Sequence, residues 1–134
     1  MSYLKEKSNF NIDAAELLQN KSLFAPSVHC SYYSCLQLMK VAINEFMGIP
    51  FEELENQTGS MNTDTHNYII KMIGDSIRNY SKEEHSIFGR NIKVLKQFRI
   101  NSDYKNIQIT TSESFKAIRI AKEIRSQLQE TFHV

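Results

Sequence analysis

The chain has 134 residues, of which 41% are hydrophobic and 23% charged, with a net charge of +1. A chain of this length fits one domain and can bury about two-thirds of its unfolded surface, so neither disulfides nor a structural metal is required for a core. The near-zero charge argues against a nucleic-acid binder held by bulk charge alone, and no apolar run reaches the roughly 20 residues of a membrane span.

Glycine (4) and proline (2) are scarce, which favours long uninterrupted helices. Residues 1–10 are polar and expected to be loosely held. Nothing in them has the apolar core of a secretory leader, so the expected location is the cytoplasm. A short first helix is predicted from about Asp13, where Asp13 and Glu16 approximate a capping box and Ala14, Leu17 and Leu18 form an apolar edge.

The second helix is predicted from Pro26 to Phe46. Val28, Tyr32, Cys35, Leu36, Met39, Ile43 and Phe46 recur at spacings of three and four, and Gly48 and Pro50 end the run. Residues 51–64 read as an acidic connection. A third helix starts near Asp64 and carries Ile69, Ile70, Ile73, Ile77 and Tyr80. Ser81 and Glu84 form a capping box for a fourth, with Phe88, Ile92, Leu95 and Phe98 on its apolar side. Residues 100–110 are polar and read as a loop onto which Ile107 and Ile109 can pack. Thr110 and Glu113 cap a last helix that runs to about Gln129 on Phe115, Ile118, Ala121, Ile124 and Leu128.

These elements predict an all-α fold: an antiparallel up-down bundle of four main helices plus a short N-terminal one, forming a single domain over 1–134. Cys30 and Cys35 are five positions apart, about 140° around a helix, and are expected to be buried free thiols. Charge is uneven. Residues 1–77 carry five Lys/Arg and nine Asp/Glu, and residues 78–134 carry eleven and six. Lys93, Lys96, Lys116, Arg119, Lys122 and Arg125 therefore read either as an RNA-binding surface or as ordinary wet helix faces.

Four segments carry a family resemblance that covers roughly residues 12–130. They are Ser31-Tyr32-Tyr33-Ser34 in the second helix, Thr65-His66 opening the third, Phe98-Arg99-Ile100-Asn101-Ser102-Asp103-Tyr104 closing the fourth, and Ala117-Ile118-Arg119-Ile120-Ala121-Lys122-Glu123-Ile124 in the last. In order and spacing the chain resembles the HEPN (higher eukaryotes and prokaryotes nucleotide-binding) family. The closer likeness is to the branch with a tyrosine pair in the second helix and Arg-x-x-x-Asp-Tyr before the last. The resemblance implies a helical bundle, commonly a homodimer. Many members are metal-independent endoribonucleases, often toxins paired with a nucleotidyltransferase antitoxin, while others bind RNA, a nucleotide or a partner without cleaving.

Nuclease members carry an arginine, usually followed by a polar residue, then four to six residues, then a histidine. The residue types suit attack of a ribose 2′-OH on its phosphate: histidine moves protons near neutral pH, and arginine neutralises the phosphorane. Two sites are candidates. Arg99 with Asp103 and Tyr104 matches the family position, but Ile100 replaces the polar residue and no histidine follows. Its plainer reading is a helix-end ion pair above a packed tyrosine. Arg78 and Asn79 followed by His85 satisfy the spacing but fall earlier than the family places its site; there the plainer reading is a terminal arginine and an exposed histidine. Tyr32 and Tyr33 read as core or dimer-face aromatics. His29, Tyr33, His66 and Lys96 are candidates for contacting RNA or a partner, and His29 or His66 would have to supply proton transfer at Arg99.

No glycine-rich phosphate loop, metal cluster or nucleophile elbow occurs, so no cofactor or metal is expected. The expected function is RNA-directed, either a metal-independent endoribonuclease of a toxin–antitoxin or defence pair, or a non-catalytic module binding a nucleotidyltransferase-type partner or a nucleotide.

Overall fold

In the computed structural model, residues 2–59 and 65–134 are described. Ser2 accepts from the Lys5 backbone N–H and so caps a helix that starts ten residues earlier than expected. This helix, α1, runs from Tyr3 to Asn20, so residues 3–10 are helix and not a loose lead-in, and the first helix is not short. It buries Ser8, Ile12, Ala15 and Gln19, while Leu17, expected inward, is 62% exposed.

The remaining elements are α2 (Phe24–Met47), α3 (Phe51–Gly59), α4 (Thr65–Tyr80), α5 (Lys82–Tyr104) and α6 (Thr111–Phe132). No strand occurs among the described residues, and the fold is an all-α bundle. The expected acidic connection is helical over 51–59, with Leu54 driven into the core; Asp64, the expected start of the next helix, lies outside the described residues. At α6 both halves of the Thr110–Glu113 capping box form. At α5 Ser81 accepts from the Glu84 N–H, but the Glu84 carboxylate accepts from Gln127 of α6 at 2.8 Å.

Helix α2 is the axis of the bundle, with Tyr32, Cys35, Leu38, Met39, Val41, Ala42 and Ile43 all fully buried. Each such aliphatic side chain contributes on the order of 2 kcal/mol. Small residues let α1 approach closely. The Ser8 hydroxyl donates to the Ser34 carbonyl, Ser34 donates back to the Ser8 carbonyl, and Ser27 donates to Ala15 O.

Contacts fix direction. Ser8 meets Ser34 and Ala15 meets Ser27, so α1 and α2 are antiparallel. Gly74 meets His85 and Asn67 meets Lys96, so α4 and α5 are antiparallel as well. Tyr32 meets His66 and Phe46 meets Tyr80, so α2 and α4 run parallel. The chain between them carries α3, and it sends the start of α4 to the same end of the bundle as the early turns of α2. Helix α5 then returns, so its C-terminus arrives there too. In α6 the line Ala117, Ala121, Ile124 and Leu128 faces inward. Phe115 lies about 150° from that line and is 59% exposed, not core. Ile109 packs down as expected, and Ile107 does not.

Both cysteines are free; Cys35 is buried and Cys30 only half-buried. The Cys35 thiol points at the Ala121 carbonyl at 3.4 Å, and burial pushes its pKa up to about 12 despite the nearby Arg125 charge. Burial raises Cys30 as well. Because the thiolate is the reactive form, a disulfide-exchange reagent at pH 8 is expected to titrate one thiol per native chain, slowly, and two in denaturant. Two equally fast native thiols would contradict this packing.

Candidate functional site

Residues 29, 32 and 33 are spaced three and four apart, so one side of α2 presents His29, Tyr32 and Tyr33 together. Residues 100–104, expected in a loop, continue α5 as helix, and that extension sets Asp103 one turn beyond Arg99. Antiparallel packing of α5 on α2 brings the two sets face to face.

Arg99 is the hub, with a side chain only 10% exposed. Its Nε donates to Asp103 Oδ2 at 3.1 Å, and Nη2 donates to the Tyr33 hydroxyl at 2.9 Å and the Tyr104 hydroxyl at 3.1 Å. The guanidinium carbon sits 5.3, 5.5 and 5.1 Å from the ring centres of Tyr32, Tyr33 and Tyr104, within cation–π range. Burial by itself would lower the Arg99 pKa, but the Tyr33, Tyr104 and Tyr32 phenols outweigh it and the net direction is upward. The site therefore holds a permanent positive charge wrapped in three phenols.

The carboxylate of Asp103 also meets His29, whose Nδ1 lies 2.9 and 3.0 Å from its two oxygens. An ionised carboxylate only accepts, so Nδ1 carries the proton and the lone pair of neutral His29 is on Nε2. Its side chain is 47% exposed, against 18% for Asp103. Histidine and carboxylate open onto a cleft of about 550 Å³ lined by Ala25, Pro26, His29, Cys30, Ser102, Asp103 and Tyr104. Tyr104, expected to pack below an ion pair, is instead 71% exposed at the rim.

Behind this cleft the aromatic cluster continues to α4. His66 Nδ1 is 3.1 Å from the buried Tyr32 hydroxyl, and its ring lies 5.6 Å from both tyrosine rings. His29 stacks on the other aromatic neighbour, 4.5 Å from Tyr33. Lys96 is tied to Asn67, next to His66, on the same flank. The fold thus gathers His29, Tyr33, His66, Arg99, Asp103 and Tyr104 into one cluster, with Lys96 at its margin. The sequence left the histidine open between His29 and His66; it is His29 of α2, 70 positions before Arg99, that meets Asp103, and no local spacing signals that choice.

The second candidate does not join this cluster. Arg78 and Asn79 are exposed at the end of α4. His85 Nδ1 donates to the Gly74 carbonyl at 2.8 Å and ties α4 to α5. His85 and Arg99 are fourteen residues apart on one helix, about 21 Å. Among the basic residues, Arg125 is buried and Lys122 pairs with Glu16, so neither is part of an open cationic surface.

Among the described residues, no group of three or more His, Cys, Asp or Glu side chains is placed to hold a metal ion, and no helix is long and apolar enough to cross a membrane. No protein-family model matches the chain, and no curated protein matches it in sequence.

Proposed function

We propose that this chain is a HEPN-type endoribonuclease that cleaves RNA by attack of a ribose 2′-OH on the adjacent phosphate. One observation carries the reading: the Asp103 carboxylate simultaneously accepts from Arg99 Nε and from His29 Nδ1, at 3.1 and 2.9 Å. A carboxylate that orients an imidazole beside a fixed cation supplies the histidine missing after Arg99.

In this mechanism His29 Nε2 takes the 2′-OH proton, and the resulting Nδ1–H, Nε2–H imidazolium is stabilised by Asp103. Charge growing on the phosphorane oxygens is met by the Arg99 field, delivered through the Tyr33 and Tyr104 hydroxyls. A phenol whose oxygen accepts from a guanidinium is a stronger donor through its own O–H. The products are a 2′,3′-cyclic phosphate and a 5′-hydroxyl. The nucleophile belongs to the substrate, so the step asks nothing of a metal. A cytoplasmic toxin–antitoxin or defence pair is the setting that the family resemblance suggests for such an activity.

A second reading has its own support. Arg99 is 8% exposed and three of its donor contacts go to Asp103, Tyr33 and Tyr104, which suits a rigid, non-catalytic module that binds a nucleotide or a nucleotidyltransferase-type partner. The test is degradation of several single-stranded RNAs by the purified full chain in excess EDTA. Wild type is expected to leave 2′,3′-cyclic phosphate ends. Arg99→Ala should be slower by at least about a hundredfold, and His85→Ala should cut at the wild-type rate. Intact RNA after incubation with wild type would discard the nuclease in favour of the binding module. A loss confined to His85→Ala would move the site to the α4–α5 corner.

A further inference from the structure

Of the three phenols around Arg99, the Tyr32 side chain is fully buried and Tyr33 half-buried, whereas Tyr104 is 71% exposed. We infer that the Tyr104 ring is a stacking platform for a nucleobase, namely the base on the ribose whose 2′-OH meets His29. The choice of that base rests on the nuclease reading above; the platform itself has a test of its own.

Exposure alone would mean little, since single surface aromatics are common. Tyr104 differs in being held at both ends. Its backbone closes α5, and its hydroxyl accepts from Arg99 Nη2 at 3.1 Å, with the guanidinium carbon 5.1 Å from the ring centre. The ring has given up much of its rotamer freedom before anything binds, which lowers the entropy cost of stacking on it. It also stands beside a permanent cation. An aromatic ring next to arginine suits single-stranded nucleic acid, with the base on the ring and the phosphate toward the charge.

The location fits a nucleoside. Tyr104 shares the cleft of about 550 Å³ with His29, and Ala25 and Pro26 from the start of α2 give it apolar carbon for the flat face of a base. Because both residues open onto one cleft, a ribose at His29 Nε2 brings its own base to Tyr104. Two polar groups of the lining are already engaged. Asp103 accepts from Arg99 and His29, and the Ser102 hydroxyl donates to the Phe98 carbonyl at 2.8 Å. Recognition therefore depends on a base being present and little on which base it is.

Chimeric DNA oligomers with a single ribonucleotide fix the point of cleavage. That ribonucleotide carries each of the four bases in turn, or a ribose with no base, and kcat/KM is measured for the full chain, Tyr104→Phe and Tyr104→Leu. Wild type is expected to lose about five- to a hundredfold when the base is removed, and to vary by less than about tenfold among the four bases. Tyr104→Phe keeps the ring and should show the same dependence on the base, even where loss of the hydroxyl lowers its kcat. Tyr104→Leu should cleave with and without the base at rates within about twofold of each other, because the partner of the base is gone. A base effect as large in Tyr104→Leu as in wild type, no base effect in wild type, or a wider spread among the bases would overturn the inference. If wild type cleaves none of these oligomers, the nuclease reading fails by itself. The platform is then decided by the fluorescence of an all-deoxy oligomer carrying 2-aminopurine. Quenching by wild type and Tyr104→Phe but not by Tyr104→Leu supports it, and equal quenching by all three, or none, overturns it.

Discussion

His29→Ala is expected to slow RNA cleavage by about a hundred- to ten-thousand-fold, and Asp103→Asn by a comparable factor. The reasons differ. The alanine removes the base, whereas the asparagine removes the charge that stabilises the imidazolium and the acceptor that dictates its tautomer. Because the two residues act as a unit through a 2.9 Å contact, their losses should not add: the double variant should be no slower than the worse single one. Single-turnover rates at saturating enzyme give the comparison directly. An Asp103→Asn enzyme of full activity would reduce the carboxylate to a helix-end partner of Arg99, the plainer reading of that pair.

The largest expected effect on stability belongs to Arg125, which is 7% exposed on α6. Its Nη1 donates to the Ser8 and Ser34 hydroxyls and its Nη2 to Asn9 at 2.6 Å, stitching α6 to α1 and α2 through neutral oxygens. Burial lowers its pKa, and Cys35 and Asp13 only partly counter that. Removing the side chain strands no anion, since Ser8 and Ser34 still donate to each other's carbonyls. What is lost is volume and three hydrogen bonds. Arg125→Ala should therefore cost about 3 kcal/mol, mainly as a cavity. Arg125→Met refills the space without desolvating a cation, so it should come within about 1 kcal/mol of wild type or exceed it. Urea melts of the three proteins measure both. A methionine variant as unstable as the alanine one would show that the charge itself holds these helices.

The sequence by itself determined the helices and most of what they bury. Periods of three and four placed Val28, Tyr32, Leu36, Met39 and Ile43 of α2, Ile69, Ile73 and Ile77 of α4, and Phe88, Ile92 and Leu95 of α5 in the core, where they are found. Local chemistry sufficed because amphipathic spacing and caps such as Thr110–Glu113 act within one turn. The same reasoning failed where a distant partner decided. Polar residues 3–10 are helical because Ser8 and its neighbours fit a seam against Ser34 and Arg125. Residues 100–104 remain helical where Arg99 and Asp103 find Tyr33 and His29 across the α2–α5 interface.

For the site, residue types and the position of Arg99 were legible, and so was the absence of a histidine downstream. Only the tertiary structure decided which histidine stands beside Asp103. That choice depends on α5 lying antiparallel to α2 and on α2 and α4 running parallel, so that the early turns of two helices and the last turn of a third share one end of the bundle. Helix direction is set by how the connecting segment through α3 returns the chain and by which faces bury together. A one-dimensional pattern of spacings records neither.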